Sequence, residues 1–80
     1  MLERLAMMQE TVLQRWRDAM DITLAELSKR SDISPGYLSQ IERGLRIPKN
    51  RRLKRLARAL GKPLETLEKA LREDFVGDGK

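Results

Sequence analysis

The stretch Thr23–Gly44, TLAELSKRSDISPGYLSQIERG, decides the fold. Thr23 is a favoured helix N-cap, and Glu26 follows at the spacing of a capping box, so a helix is predicted to begin there. Ser34 is a second favoured N-cap, and Pro35 takes the first helical position, where its missing N–H costs nothing. The stretch therefore predicts two short helices joined by a three-residue turn.

Small and apolar residues in this stretch occupy the positions that the packing of two crossed helices requires. Ala25 and Ser28 are expected where the helices cross, and Ile33 is expected to anchor the turn in the core. Leu38 and Ile41 are expected to face inward from the second helix, which leaves its other face polar or small. This arrangement is typical of a helix-turn-helix, a motif whose second helix enters the major groove of DNA.

Three further helices are predicted, one before this motif and two after it. Apolar residues at three- and four-residue steps predict a first helix over about residues 2–20. A fourth helix starts at about Lys49 or Asn50 and ends at Leu60, before Gly61. A fifth starts near Pro63-Leu64 and is expected to bury Leu64, Leu67 and Leu71. Five helices with short connections predict a compact all-α fold.

The chain is predicted to form a single domain over residues 1–75. Within it, residues 23–44 form the helix-turn-helix and residues 1–11 extend the first helix toward the N-terminus. Residues 76–80 are expected to be a frayed tail.

The positive charge of the chain is concentrated in one segment. Residues 1–42 hold seven acids and five bases, and residues 63–80 hold five acids and three bases, so each segment has a net charge of −2. Residues 43–62, here called the basic block, hold nine bases and no acid. A block of one sign attracts a polyanion, although a basic tail, an acidic protein partner or anionic lipid would also fit it.

Composition excludes several classes of protein. The 80 residues include no Cys and no His, which excludes disulfide scaffolds, Cys/His zinc sites, and catalysis by Cys–His or Ser–His–Asp groups. We therefore expect no enzyme, no metal and no cofactor. No membrane span or secretory signal is expected, so we predict a cytoplasmic protein.

Two segments carry a resemblance to a known family. Leu38–Gly44, LSQIERG, and Leu56–Gly61, LARALG, together with Pro48, are similar to the phage-repressor and Cro type of helix-turn-helix, the Xre-like family. The resemblance covers about residues 12–67. It implies an all-α, five-helix, lambda-repressor-like DNA-binding domain. It also implies a bacterial or phage-encoded protein that is associated with the nucleoid.

The resemblance also implies roles for individual residues. The residues that it places at base edges are Pro35, Gly36, Tyr37 and Gln40. Thr23 falls where the family touches a phosphate, and Leu24 stands where the family commonly has Gln. Arg43 and Arg46 fall where the family contacts the DNA backbone.

An ion pair between Arg17 and Glu42 is also implied by the resemblance. Glu42 directly precedes the basic block and would repel phosphate unless it turned inward. We therefore expect a partly buried bridge that holds the third helix against the first.

Other residues are candidates for DNA contact on chemical grounds. Gln40 is able to bond bidentately to the N6 and N7 atoms of adenine. Ser39 lies beside it and is a candidate for a phosphate or a base. The start of the fourth helix favours anions, so its candidates for backbone contact are Lys49, Asn50, Arg51 and Arg52.

These features predict a sequence-specific regulator that binds double-stranded DNA as a homodimer and acts as a repressor on a pseudo-palindromic operator. The dimer surface is expected on the N-terminal extension or on the fifth helix. The alternative is an antitoxin or co-regulator whose main role is to bind a protein partner, such as a toxin or anti-repressor. RNA binding and catalysis are disfavoured because exposed aromatics and catalytic groups are scarce.

Overall fold

The computed structural model describes residues 10–77, and every regular element in this range is an α-helix. The five helices are α1 (Val12–Ala19), α2 (Leu24–Ser31), α3 (Pro35–Glu42), α4 (Asn50–Leu60) and α5 (Leu64–Asp74). The predicted all-α, five-helix class is confirmed. Within residues 10–77, no helix is long and apolar enough to cross a membrane.

Side-chain caps begin α2 and α3 as the sequence predicts. The Thr23 hydroxyl accepts from the backbone N–H of Glu26 at 3.1 Å, and the Glu26 carboxylate accepts from the Thr23 N–H at 2.8 Å. The Ser34 hydroxyl accepts from the N–H of Tyr37 at 3.3 Å. Between the helices, Asp32 takes a left-handed conformation with φ 59°, which ends α2 and turns the chain.

The start of the first helix differs from the prediction. Helix α1 begins at Val12, because Thr11 has extended backbone and forms a second capping box with Gln14. The Thr11 hydroxyl accepts from the Gln14 N–H at 3.4 Å, and the Gln14 amide oxygen accepts from the Thr11 N–H at 3.1 Å. The prediction of one continuous helix through residues 10 and 11 was therefore wrong, and residues 2–9 of that prediction lie outside the described residues.

Leucine and isoleucine from all five helices and the turns form one core. Its fully buried apolar members are Leu13, Leu27, Leu38, Ile41, Leu56 and Leu67. Ile33, expected to anchor the turn, is also buried. Helix α2 packs against α3 and α4, and α5 packs against α1 and α4.

Two residues that were expected in packed positions are exposed. Ala25 lies outside the stripe that α2 turns inward, which runs through Leu27 and Ser31. Leu64 remains 37% exposed, although Leu67 on the same helix is buried. Helical side chains tilt toward the N-terminus, so the first residue of α5 points past the end of its own helix.

The chain beyond α5 returns to the end of α3. The backbone N–H groups of Val76 and Gly77 donate to the carbonyl of Gly44 at 2.8 and 3.1 Å. The Asp74 carboxylate accepts from the N–H of Val12 at 2.7 Å, which satisfies a free donor at the start of α1. At residues 76 and 77 the backbone is thus hydrogen-bonded, which differs from the expected frayed tail, and residues 78–80 of that prediction lie outside the described residues.

Candidate nucleic-acid interface

Helix α3 has one face in the core and one face at the surface. Leu38, Ile41 and Glu42 are buried. The exposed or half-buried residues at its start and along its outer face are Ser34, Pro35, Gly36, Tyr37, Ser39 and Gln40. This face includes all four residues that the sequence analysis placed at base edges.

Gly36 lies in the open first turn of this helix. A Cβ atom added there would meet no atom within 4 Å, apart from its own chain neighbours and helix backbone. The backbone at this position can therefore come close to a ligand surface, and the absence of a side chain is not required by internal packing.

Tyr37 connects α3 to the start of α4. Its side chain is half-buried and packs against the core cluster. The guanidinium carbon of Arg52 lies 5.1 Å from the centre of its ring, within the range of a cation–π contact. Arg52, predicted as a backbone contact, thus also restrains the orientation of a predicted base reader.

Gln40 is joined to the loop that follows α3. The Arg46 Nε donates to the Gln40 Oε1 at 3.4 Å. The backbone supports this contact, because the N–H of Leu45 donates to the Gln40 carbonyl at 2.9 Å and Gly44 takes the left-handed φ of 80°. The tight turn after α3 therefore brings Arg46 back beside the outer face of the helix.

Two open grooves lie around the start of α4, and the larger one also borders Tyr37 of α3. The larger one, of about 640 Å³, is called here the α3–α4 groove, and its lining residues are Tyr37, Leu45, Arg46, Ile47, Lys49, Arg52 and Phe75. The smaller one is lined by Lys49, Arg51, Arg52 and Arg55. Among the described residues, no acidic side chain lines either groove, so both attract an anion.

The other predicted backbone contacts lie at the surface. Thr23, Arg43 and Asn50 are exposed, although they line neither of these two grooves. The Thr23 hydroxyl already accepts one hydrogen bond as the cap of α2. A hydroxyl also has a proton to donate, so capping leaves its donor function for a phosphate oxygen.

Arg17 and Glu42 form the ion pair that fastens α3 to α1. The Arg17 Nε lies 2.6 Å from the Glu42 Oε2, and a second guanidinium nitrogen donates to Oε1 at 3.4 Å. Another nitrogen of Arg17 donates to the Ile22 carbonyl at 3.0 Å. The hydrogen bond with Glu42 raises the pKa of the Arg17 guanidinium, against the opposing effect of burial, so the cation persists at any physiological pH.

Two positioning contacts were missed by the sequence analysis. The Thr11 hydroxyl donates to the Glu42 carbonyl at 2.7 Å, which ties the start of α1 to the end of α3. Arg55 donates to the carbonyls of Ser31 and Asp32 at 2.9 and 3.3 Å. The Thr11–Gln14 spacing was a visible signal for a cap, whereas no local pattern pairs Arg55 with residues more than 20 positions away.

Helix α3 has a side-chain cap, packs against α2, and has a polar outer face beside a groove whose lining is basic and includes no acidic residue. This is the arrangement of a helix-turn-helix domain. The sequence pattern of the helix-turn-helix family matches residues 13–67. The chain therefore belongs to the Xre-like helix-turn-helix family.

Relatives are found in Mycobacterium tuberculosis. The chain is 41% identical over 51 residues to a protein described as an uncharacterised HTH-type transcriptional regulator, in each of two strains. The match covers 64% of this chain and 36% of each relative, so the chain spans about a third of the length of these relatives. No solved structure was found to match it.

Proposed function

We propose that this chain is the DNA-binding part of a transcriptional regulator and that α3 enters the major groove of double-stranded DNA. The observation that carries this proposal is the solvent-accessible outer face of α3 beside the α3–α4 groove, which has basic and no acidic residues in its lining. Family membership supports the same function, and the mycobacterial relatives are described as transcriptional regulators.

Affinity and specificity come from different residues in this proposal. The base readers are Pro35, Gly36, Tyr37 and Gln40. Since neither Pro35 nor Gly36 has a polar side chain, these two come close to the DNA major groove through their backbone. The backbone contacts are Thr23, Ser39, Arg43, Arg46, Lys49, Asn50, Arg51 and Arg52. Phosphate contacts of this kind set register and affinity, whereas base contacts set sequence preference.

The regulator acts as a repressor without catalytic activity of its own. Two copies bind a pseudo-palindromic operator, with their α3 helices in successive major grooves about 34 Å apart. Bound at a promoter, such a dimer would exclude polymerase. This part of the proposal rests on the geometry of the motif and on the symmetry of common helix-turn-helix operators.

The test combines salt-dependent binding with site selection. Fluorescence anisotropy on duplex DNA is expected to give a log affinity that falls linearly with log salt, with a slope of about −0.9 per neutralised phosphate. Selection from random duplexes is expected to enrich one motif, arranged as two inverted half-sites. A flat salt response without an enriched motif would contradict DNA binding, and enrichment of a single half-site would contradict the dimer alone.

The α3–α4 groove favours one alternative function. Its floor includes Leu45, Ile47 and Phe75, and Phe75 is 46% exposed. An acidic protein partner with an apolar side chain would fit this combination, as in an antitoxin or co-regulator. The salt and selection experiments separate this function from DNA reading, because a protein-binding module would enrich no duplex sequence.

A further inference from the structure

The contact between Gln40 and Arg46 determines which groups of Gln40 face a ligand. A glutamine amide carries two N–H donors on nitrogen and an acceptor oxygen. Here the acceptor lies 3.4 Å from the Nε of Arg46, and the assignment of oxygen to that side follows because guanidinium can only donate. The amide nitrogen is therefore the part of the side chain directed away from Arg46.

This orientation does not suit the base expected from the sequence. Bidentate reading of adenine requires one donor and one acceptor from the amide, because adenine presents N7 as acceptor and N6 as donor. With Oε1 engaged by Arg46, Gln40 would have to share its oxygen or break that contact. Guanine presents two acceptors, N7 and O6, on the same edge, and these require only donors.

The positive charge of Arg46 also favours guanine over adenine beside Gln40. The guanidinium of Arg46 places a full positive charge beside the amide, and it withdraws electron density through the hydrogen bond to Oε1. The amide N–H groups become better donors, and the local potential favours a base edge made of acceptors. The exocyclic amine of adenine would instead point its own donor toward this cation.

Hydrogen bonds hold the backbone turn that joins Gln40 to Arg46. Gly44 adopts φ 80° and accepts hydrogen bonds from Val76 and Gly77, while the N–H of Leu45 bonds to the Gln40 carbonyl. A Cβ atom on Gly44 would collide with the Asp74 carbonyl, so the turn is closely packed. This turn therefore fixes where the Arg46 Cα atom lies relative to Gln40.

We propose that Gln40, oriented and polarised by Arg46, reads guanine in the major groove. Gln40 is the specificity-determining residue, and Arg46 is a positioning residue that acts through it. This inference rests on the proposed DNA-binding function and replaces the adenine expected from the sequence.

The test is selection of bound sites from random duplexes with the wild-type chain and four variants. Gln40→Ala identifies the base pair, because guanine preference there is expected to fall to about parity with adenine. At that pair the wild type is expected to prefer guanine by about tenfold, the discrimination of one good side-chain pair. Arg46→Met is expected to move the preference toward adenine, whereas Arg46→Lys keeps a cationic donor and retains guanine.

Lys49→Met is the matched control, because it removes one positive charge from the same groove without a contact to Gln40. It is expected to weaken binding to all sequences while guanine remains preferred. Arg46 is exposed, so its variants are expected to melt close to the wild type. If they do not fold, wild-type binding to a duplex with 7-deazaguanine at that pair, which lacks the N7 acceptor, is expected to be about fivefold weaker.

The outcomes separate the inference from the proposed function. An Arg46→Met preference equal to that of the wild type would overturn the positioning role of Arg46. Enriched sites with adenine at the Gln40-dependent pair would overturn guanine reading and leave the proposed DNA-binding function standing. Unchanged affinity for the 7-deazaguanine duplex would do the same. If no motif is enriched by the wild type, the DNA-reading function fails and the inference fails with it.

Discussion

Removing one member of the Arg17–Glu42 pair should destabilise the fold in an asymmetric way. The side chain of Arg17 is 18% exposed and that of Glu42 is 6% exposed. Arg17→Met leaves a carboxylate with almost no access to water, whereas Glu42→Gln leaves a cation that can still reach water and the Ile22 carbonyl. Arg17→Met is therefore expected to be the more damaging change.

Breaking a buried pair costs about 3–5 kcal/mol, and partial exposure of Arg17 places this pair at the low end. We expect Arg17→Met to cost about 3 kcal/mol and Glu42→Gln about 2 kcal/mol, because the amide still accepts a hydrogen bond. A domain of this size has about 4–12 kcal/mol of stability, so either loss is a large fraction. At about 4–8 °C per kcal/mol, the melting temperature should fall by about 12–24 °C for Arg17→Met.

The chain contains its own control for this experiment. Arg72 and Glu68 form an exposed pair on α5 at 3.1 Å, with side-chain exposures of 70% and 40%. Arg72→Met and Glu68→Gln are expected to cost no more than about 0.5 kcal/mol each, because such i,i+4 pairs contribute little. Thermal melting followed by circular dichroism, with urea titration at low temperature, measures all four variants.

Two results would refute the reasoning. One is a loss for Arg17→Met that equals the loss for Arg72→Met within error. The other is a larger loss for Glu42→Gln than for Arg17→Met, which would show that the buried carboxylate is not the group at risk. A double-mutant cycle over Arg17 and Glu42 is expected to give a coupling of about 1–3 kcal/mol, and additive losses would show that the two side chains do not act as a pair.

Three other substitutions test the interface and its support. Gly36→Ala is expected to raise the melting temperature by about 2–4 °C, because alanine favours the helix and its Cβ meets open space; a decrease in thermal melting would contradict this. Arg51→Ala is expected to make the salt dependence of DNA binding shallower by about 0.9, whereas Lys69→Ala, outside the basic block, should leave the slope unchanged; equal slopes would remove Arg51 from the phosphate contacts. Arg55→Met is expected to cost about 1–2 kcal/mol in urea unfolding, because two carbonyls at the end of α2 lose their donor; a loss below about 0.5 kcal/mol would contradict that role.

Helix starts were predictable where the signal lies within one turn. The caps at Thr23 and Ser34 each use a residue three positions away, so both partners fall within one short stretch of sequence. The same signal was present at Thr11 with Gln14, but the apolar periodicity running through it favoured one long helix. A capping box competes with periodicity at such a position, and at Thr11 the cap determines where the helix begins.

The basic block shows the limit of reading charge from sequence. Its nine bases lie within twenty residues of the chain, yet they have different surroundings in the fold. Arg52 stacks on Tyr37, Arg55 bonds to the end of α2, and Lys62 lies 4.8 Å from the ring centre of Trp16. Net charge predicts attraction to a polyanion, but it does not show which cations already have a structural partner.

The amino-acid sequence alone was sufficient for the all-α class, the helix-turn-helix and the position of the basic block, because periodicity, caps and charge runs are local properties. Tertiary structure was needed for the long-range contacts that orient the candidate site: Thr11 with Glu42, Asp74 with Val12, and the return of residues 76 and 77 to Gly44. It was also needed for the hydrogen bond between Arg46 and Gln40, which depends on how tightly the chain turns after α3. Contacts of this kind join groups that only packing brings within hydrogen-bond distance, and the contact of Arg46 with Gln40 is the one from which we propose guanine in place of adenine.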